Sequence, residues 1–207
     1  MQHRFKQVLE GIAAEKSPGP LRSFSVFHLA FALELLANET IGRGRLAERL
    51  HVGEGAVRTI ISRLQDAGLI SVSKNGCALT GKGLSLWREY QRVFVKKAEL
   101  EQDELTLGDC NFGVLVKGYA FRVGSGMEQR DAAVKAGANS ATTIMVKGGK
   151  LVIPSVSGDV AKSFPSTGRM LLKMFAPEEG DVIVISSGGS REKAEFGVLA
   201  AAWTLLD

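Results

Sequence analysis

The chain has 207 residues, 45% hydrophobic and 23% charged, which is enough for two small domains with a core each and ordinary for a soluble globular protein. The formal net charge of +4 is unevenly divided: residues 1–100 hold 15 Lys/Arg against 9 Asp/Glu, and residues 101–207 hold 11 against 13, so only the first half is suited to a polyanion. Two cysteines, Cys77 and Cys110, exclude a disulfide framework and give no zinc site by themselves, so a reducing, cytoplasmic setting is expected.

Phe5, Val8, Leu9 and Ile12 recur at helical spacing and predict a short amphipathic helix, which SPGP (17–20) breaks. Arg4, Lys6 and Glu10 interrupt any apolar run there, which argues against a signal peptide. Ser23 or Ser25 caps a second helix running to about Asn38. Its apolar stretch, 24–37, contains His28 and Glu34 and is shorter than a membrane span, so no membrane partner is expected. RGRLAERL (43–50) reads as a third helix, and Glu54 to Ala67 as a fourth, ended by Gly68. His51, in the turn between them, reads as structural. Ile70–Ser73 and Cys77–Thr80 are strands about an Asn75-Gly76 turn. A longer helix is predicted from Gly83 towards Leu100, with Leu84, Trp87, Tyr90 and Phe94 along one side as core or dimer contact. The acidic passage 99–109 reads as a linker, giving domains over 1–100 and 108–207.

Beyond it strands and helices alternate. Strands are predicted at 112–118 and 181–187, a hairpin over 142–154 turning at Gly148-Gly149, and helices at 127–137, 166–175 and 190–206. No internal repeat or low-complexity tract is visible. The fold class is α+β: a winged helix-turn-helix, then an α/β sandwich whose helices cover one face of a mixed sheet.

On a helical wheel Val57, Ile60, Ile61 and Leu64 fall within about 100° and form a core stripe. Gly55, Thr59, Ser62 and Arg63 fall on the far side, with Arg58 at its margin. Arginine can bond guanine bidentately, and serine and threonine can bond bases or phosphates. Gly55 permits close approach at a helix N-terminus, which itself attracts anions. Lys74 at the hairpin tip reaches a neighbouring groove or backbone. Over residues 41–63, Arg43, Arg45, Arg49, Arg58 and Arg63 stand against Glu48 and Glu54. Helix plus ribbon is the arrangement by which a winged helix straddles double-stranded DNA. The candidate DNA-binding residues are therefore Arg43, Arg45, Gly55, Arg58, Thr59, Ser62, Arg63 and Lys74. The segment LAERLHVGEGAVRTIISRLQDAGLI, with LTGKG after the hairpin, resembles the winged helix-turn-helix of prokaryotic transcription regulators over about residues 24–94.

No histidine follows His51, which excludes a Ser-His-Asp or Cys-His arrangement within the second half, and no P-loop, G-x-G-x-x-G or H-E-x-x-H occurs. No catalytic residue, cofactor or metal is therefore assigned, and the chain is not read as an enzyme. Two places suggest a pocket for a small anionic effector. In 124–143 the wheel sets Gln129 and Arg130 on the apolar side of a helix, beside Gly124, Gly126, Thr142 and Thr143. A cation there needs a partner, either a structural carboxylate or an anionic ligand, unless it snorkels to water. In SSGGS, Ser187, Gly188 and Gly189 either cradle an anion or only permit a tight turn. SGMEQRDAAVKAGANSATT and GDVIVISSGGSREKAEFGVLAAA are similar to the C-terminal domain of archaeal winged-helix proteins of unassigned activity, which implies a two-domain regulator and carries over no catalytic residue. The resulting expectation is a homodimeric DNA-binding regulator. The alternatives are an enzyme of small anionic metabolites with an appended winged helix, and a protein-interaction module.

Overall fold

Phe5 and Leu9 lie one turn apart and are fully buried on α1 (Arg4–Ala13), as the first apolar spacing requires. The computed structural model describes residues 3–14 and 24–207. The expected break at 17–20 and the alternative cap Ser23 lie outside them. Two compact units result, Met1–Tyr90 and Gln91–Asp207.

In the first unit, Ser25 is the N-cap of α2 (Val26–Asn38). Its amide donates to Nδ1 of His28 at 3.0 Å. Burial first, and then the nearby His51, push the His28 imidazole down to about 4. α3 (Arg43–Arg49) and α4 (Glu54–Asp66) follow, joined through His51 at φ +53°, a left-handed conformation that keeps the turn tight. β1 (Ile70–Ser73) and β2 (Gly76–Leu79) form the ribbon, antiparallel with Ser73 opposite Gly76. The two-residue turn is thus Lys74-Asn75, one position before the expected Asn75-Gly76. Ser73 Oγ accepts from the Asn75 amide at 3.2 Å. Gly76, at φ +121°, opens the return strand, where a Cβ would come within 2.6 Å of the Ile41 backbone. Ile41 and Cys77 exchange both backbone hydrogen bonds, at 3.0 and 2.8 Å, an isolated antiparallel bridge at the edge of the two-stranded ribbon.

α5 (Gly81–Val93) ends earlier than expected. Trp87 and Tyr90 stack on each other, and Tyr90 meets Phe5 edge-on, so these two are core of the unit, whereas Leu84 is exposed and Phe94 stacks on Trp203 in the second unit. Residues 94–100 are not helix but β3 (Phe94–Leu100), paired with β4 (Cys110–Val116). The unit boundary therefore falls after Tyr90, and 99–109 is no linker: Thr106 is fully buried, and the Glu104 carboxylate accepts from the amide and hydroxyl of Thr167.

The second unit continues through α6 (Met127–Lys135), β5 (Ser140–Lys147), β6 (Lys150–Val152), α7 (Val160–Ser163), α8 (Pro165–Phe175), β7 (Val182–Gly188) and α9 (Arg191–Thr204). The sheet order is β3-β4-β7-β5-β6. Every pairing is antiparallel, so the expected α+β class holds with an antiparallel sheet in place of a mixed one. Helices cover both faces, not one. α6 and α9 pack on one side, where a Cβ on Gly197 would meet Ala138 and Ser186 at 2.5 Å. On the other side Leu171 and Phe175 of α8 join Leu115, Ile144, Ile183 and Ile185 in the core. Two covered faces bury β7 along its whole length, the reason VIVI runs without polar alternation.

Candidate nucleic-acid interface

α4 separates its faces cleanly. Ala56, Val57, Ile60 and Leu64 are buried, whereas Gly55, Arg58, Thr59, Ser62 and Gln65 are exposed, at the i, i+3, i+4, i+7 spacing of one helical face. The ribbon stands beside this face. Because Ile41 is tied to Cys77, the next residues, Gly42 and Arg43, are brought to the base of the ribbon. Between helix and ribbon lies an open groove of about 400 Å³, lined by Arg58, Ile61, Ser62 and Gln65 from α4, by Val72 to Cys77 from the ribbon, and by Gly42 and Arg43.

Four of the eight residues expected to meet DNA thus share one groove: Arg43, Arg58, Ser62 and Lys74. Gly55 and Thr59 lie on the same exposed helix face, with the Thr59 hydroxyl donating to the Gly55 carbonyl at 3.0 Å. Arg45 is exposed on α3 and pairs with Glu39 at 2.6 Å, while Arg49 reaches the same carboxylate at 3.6 Å. Arg58 pairs with Glu54 one turn back at 3.0 Å. Exposed pairs of this kind contribute little and are screened by salt, so a phosphate can replace the carboxylate. Arg43 and Lys74 form no ion pair among the described residues.

Arg63 departs from the expectation. Its Nη1 donates to the carbonyls of Ile12 at 2.8 Å and Ala14 at 3.1 Å, and its guanidinium lies 5.6 Å from the Phe24 ring. It fastens the segments around α1 and α2 to α4 and does not belong to the outer face. The wheel placed it outside because those carbonyl acceptors are far away in sequence. Ile61, expected in the core stripe, is only half-buried and lines the groove at the edge of that stripe, and Gln65 and Val72 line it without having been singled out. Gln65 was detectable, since it follows Arg58 by seven residues. Cys77 at the groove base is a buried thiol whose pKa is pushed up by desolvation, so it remains protonated and unreactive.

The second unit does not assemble the expected anion sites. Gln129 is buried and donates to the Thr204 hydroxyl at 2.7 Å. Arg130 is exposed rather than apolar-facing, and its Nη2 donates to its neighbour Asp131 at 2.9 Å. Gly124 is exposed, and Gly126, at φ +82°, is the N-cap residue of α6. Thr142 and Thr143 are successive strand residues and project to opposite faces of the sheet, so they cannot line one pocket. Thr143 is buried, its hydroxyl without a hydrogen-bond partner among the described residues.

Ser187 is buried too, donating to Asn111 at 2.6 Å and accepting from the Leu107 amide at 3.1 Å. A Cβ on Gly188 would lie 2.8 Å from the Ala194 amide nitrogen, so this glycine serves close packing under α9. Gly189 is exposed, and Ser190 caps α9. These residues form a tight strand-to-helix turn. Among the described residues no group of three His, Cys, Asp or Glu side chains could hold a metal ion, and no helix is long and apolar enough to cross a membrane.

Residues 29–85 match the model of a PH0730-like N-terminal domain, and residues 107–205 match a domain of unknown function, DUF4443. Among solved structures, the chain is similar to a hypothetical protein, PH0730, from Pyrococcus horikoshii OT3: TM-score 0.71 and 26% identity over 88% of this chain and 93% of that one. No curated protein matches. These likenesses fit a two-domain archaeal family of uncharacterised proteins.

Proposed function

We propose that the first unit binds double-stranded DNA, with α4 in the major groove and the ribbon against the neighbouring backbone, and that the chain is a cytoplasmic transcription regulator. The groove carries the proposal: cations from three separate elements, Arg43, Arg58 and Lys74, line one open space beside the polar groups of Ser62 and Gln65. Two helices and the ribbon tip converge with one sign of charge, the pattern a polyphosphate backbone selects. The second unit is proposed to hold a homodimer, since one winged helix reads a short half-site and two-fold pairing supplies the other. A small anionic effector is not part of the proposal, because Gln129 and Ser187 are buried and bonded within the chain, and Thr142 and Thr143 face opposite sides of the sheet, so the expected residues line no common pocket.

Fluorescence anisotropy of the full chain with a labelled duplex tests this reading. Affinity should fall steeply as salt rises, and Arg43→Ala with Lys74→Ala should lower the log–log slope by roughly 0.9 for each phosphate contact removed. A folded chain that leaves duplex DNA unbound at low salt would end the proposal.

A further inference from the structure

The groove beside α4 is basic at its rim and apolar within. Ile61 enters it from the helix, and Val72 from the first strand of the ribbon. Val72 is 48% exposed and flanked by exposed Ser71 and Ser73. It lies directly opposite Cys77, which is buried, so it extends the apolar face of the ribbon outward beyond the core. A partner for this groove must offer anions at the rim and a small apolar group inside. In the major groove of DNA the base-edge group that is apolar is the C5-methyl of thymine. Gln65 lies one turn beyond Ile61 and shares the lining. Its amide carries the donor and acceptor that match N7 and N6 of adenine.

We infer that this groove selects A·T pairs, Ile61 and Val72 receiving a thymine methyl group and Gln65 reading adenine. The inference rests on the DNA-binding reading and adds to it a sequence preference with named determinants. Phosphates on Arg43, Arg58 and Lys74 set the register of the duplex, and the apolar pair then distinguishes the base within reach.

The experiment uses a duplex selected by the full chain from a random pool, with each thymine replaced in turn by uracil, which lacks only the methyl group. At one position or more the replacement should weaken binding about fourfold, the effect of leaving one methyl group unburied. In Val72→Thr, which keeps the shape and replaces a methyl by a hydroxyl, or in Ile61→Ala, that penalty should shrink towards unity. Duplex binding with no uracil effect above about 1.5-fold at any position overturns the inference and leaves DNA binding standing. So does a uracil penalty of equal size in the parent chain and both variants. Failure to bind any duplex at low salt removes both readings together.

Discussion

Helices α4 and α6 each carry an outward arginine held by a carboxylate of the same helix, Arg58 by Glu54 at 3.0 Å and Arg130 by Asp131 at 2.9 Å. What lies beneath and beside them differs. α4 buries Ala56, Val57, Ile60 and Leu64, while α6 buries only Gln129 and Ala133. Beside Arg58 other elements bring Arg43 and Lys74 to the same groove. The exposed side of α6 sets Arg130 among Glu128, Asp131 and Lys135, charges of both signs. A lone surface arginine therefore says little about a ligand. Convergence of like charge from separate elements says more, and a helix anchored by four apolar side chains can present its whole outer face to a partner.

The largest effect expected from this contrast is on stability. Leu64→Ala should cost about 2–5 kcal/mol, by loss of transfer energy and a residual cavity. Val134→Ala, on the exposed side of α6, should stay within about 0.5 kcal/mol. Urea denaturation of the full chain measures both, and equal losses would mean that the α6 face is covered in solution.

Next come the two arginines of α4. Arg58→Ala should remove about 1–3 kcal/mol of discrimination between duplexes while stability holds. Arg63→Ala should do the reverse, costing about 1–2 kcal/mol of stability because two backbone carbonyls lose a charged donor. Competition titrations beside denaturation curves separate the two. Discrimination lost with Arg63 at unchanged stability would return that residue to the DNA face.

Between pH 6.5 and about 4.5 the pH dependence of stability should arise in the first unit. The folded pKa of His28 is depressed from 6.5 to about 4, so the unfolded chain binds the extra proton between those values. Its stabilising contribution is complete above pH 6.5 and is lost as the pH falls towards 4. The carboxyls of Glu104 and Glu179, held below the usual range chiefly by backbone amides, act in the second unit and at lower pH. His28→Gln should flatten stability between pH 6.5 and 4.5 in thermal melts of the full chain. A slope left unchanged would place the titrating group elsewhere.

The smallest effect concerns single surface lysines. Lys74→Ala should reduce the slope of log affinity against log salt by roughly 0.9, and Lys135→Ala on α6 should leave it unchanged.

The first unit was legible in sequence where strong apolar periodicity set the phase of an element, as Val57, Ile60 and Leu64 did for α4. α6 offers mostly alanine on its inner side, so the wheel could not tell which flank faces the sheet, and Arg130 was turned inward wrongly. Phe94–Leu100 hid a strand because lysine, alanine, glutamate and leucine favour helices, and pairing with β4 overrides that preference. The ribbon turn slipped by one residue because Gly76 is required against Ile41, a contact distant in sequence. Continuous VIVI in β7 is the mark of a strand covered on both faces, a signal set aside by the expectation of helices on one face of a mixed sheet. Of the groove, the helix side was readable and the ribbon side less so, since Val72 looks like any strand valine until its exposure is known.

Amide chemical-shift mapping of the full chain during titration with a duplex tests the central claim most directly. Perturbations should concentrate at residues 42–45, 54–65 and 72–76, with residues 124–143 and 187–189 unmoved. Perturbations confined to those second-unit residues, or none anywhere at high duplex concentration, would contradict it.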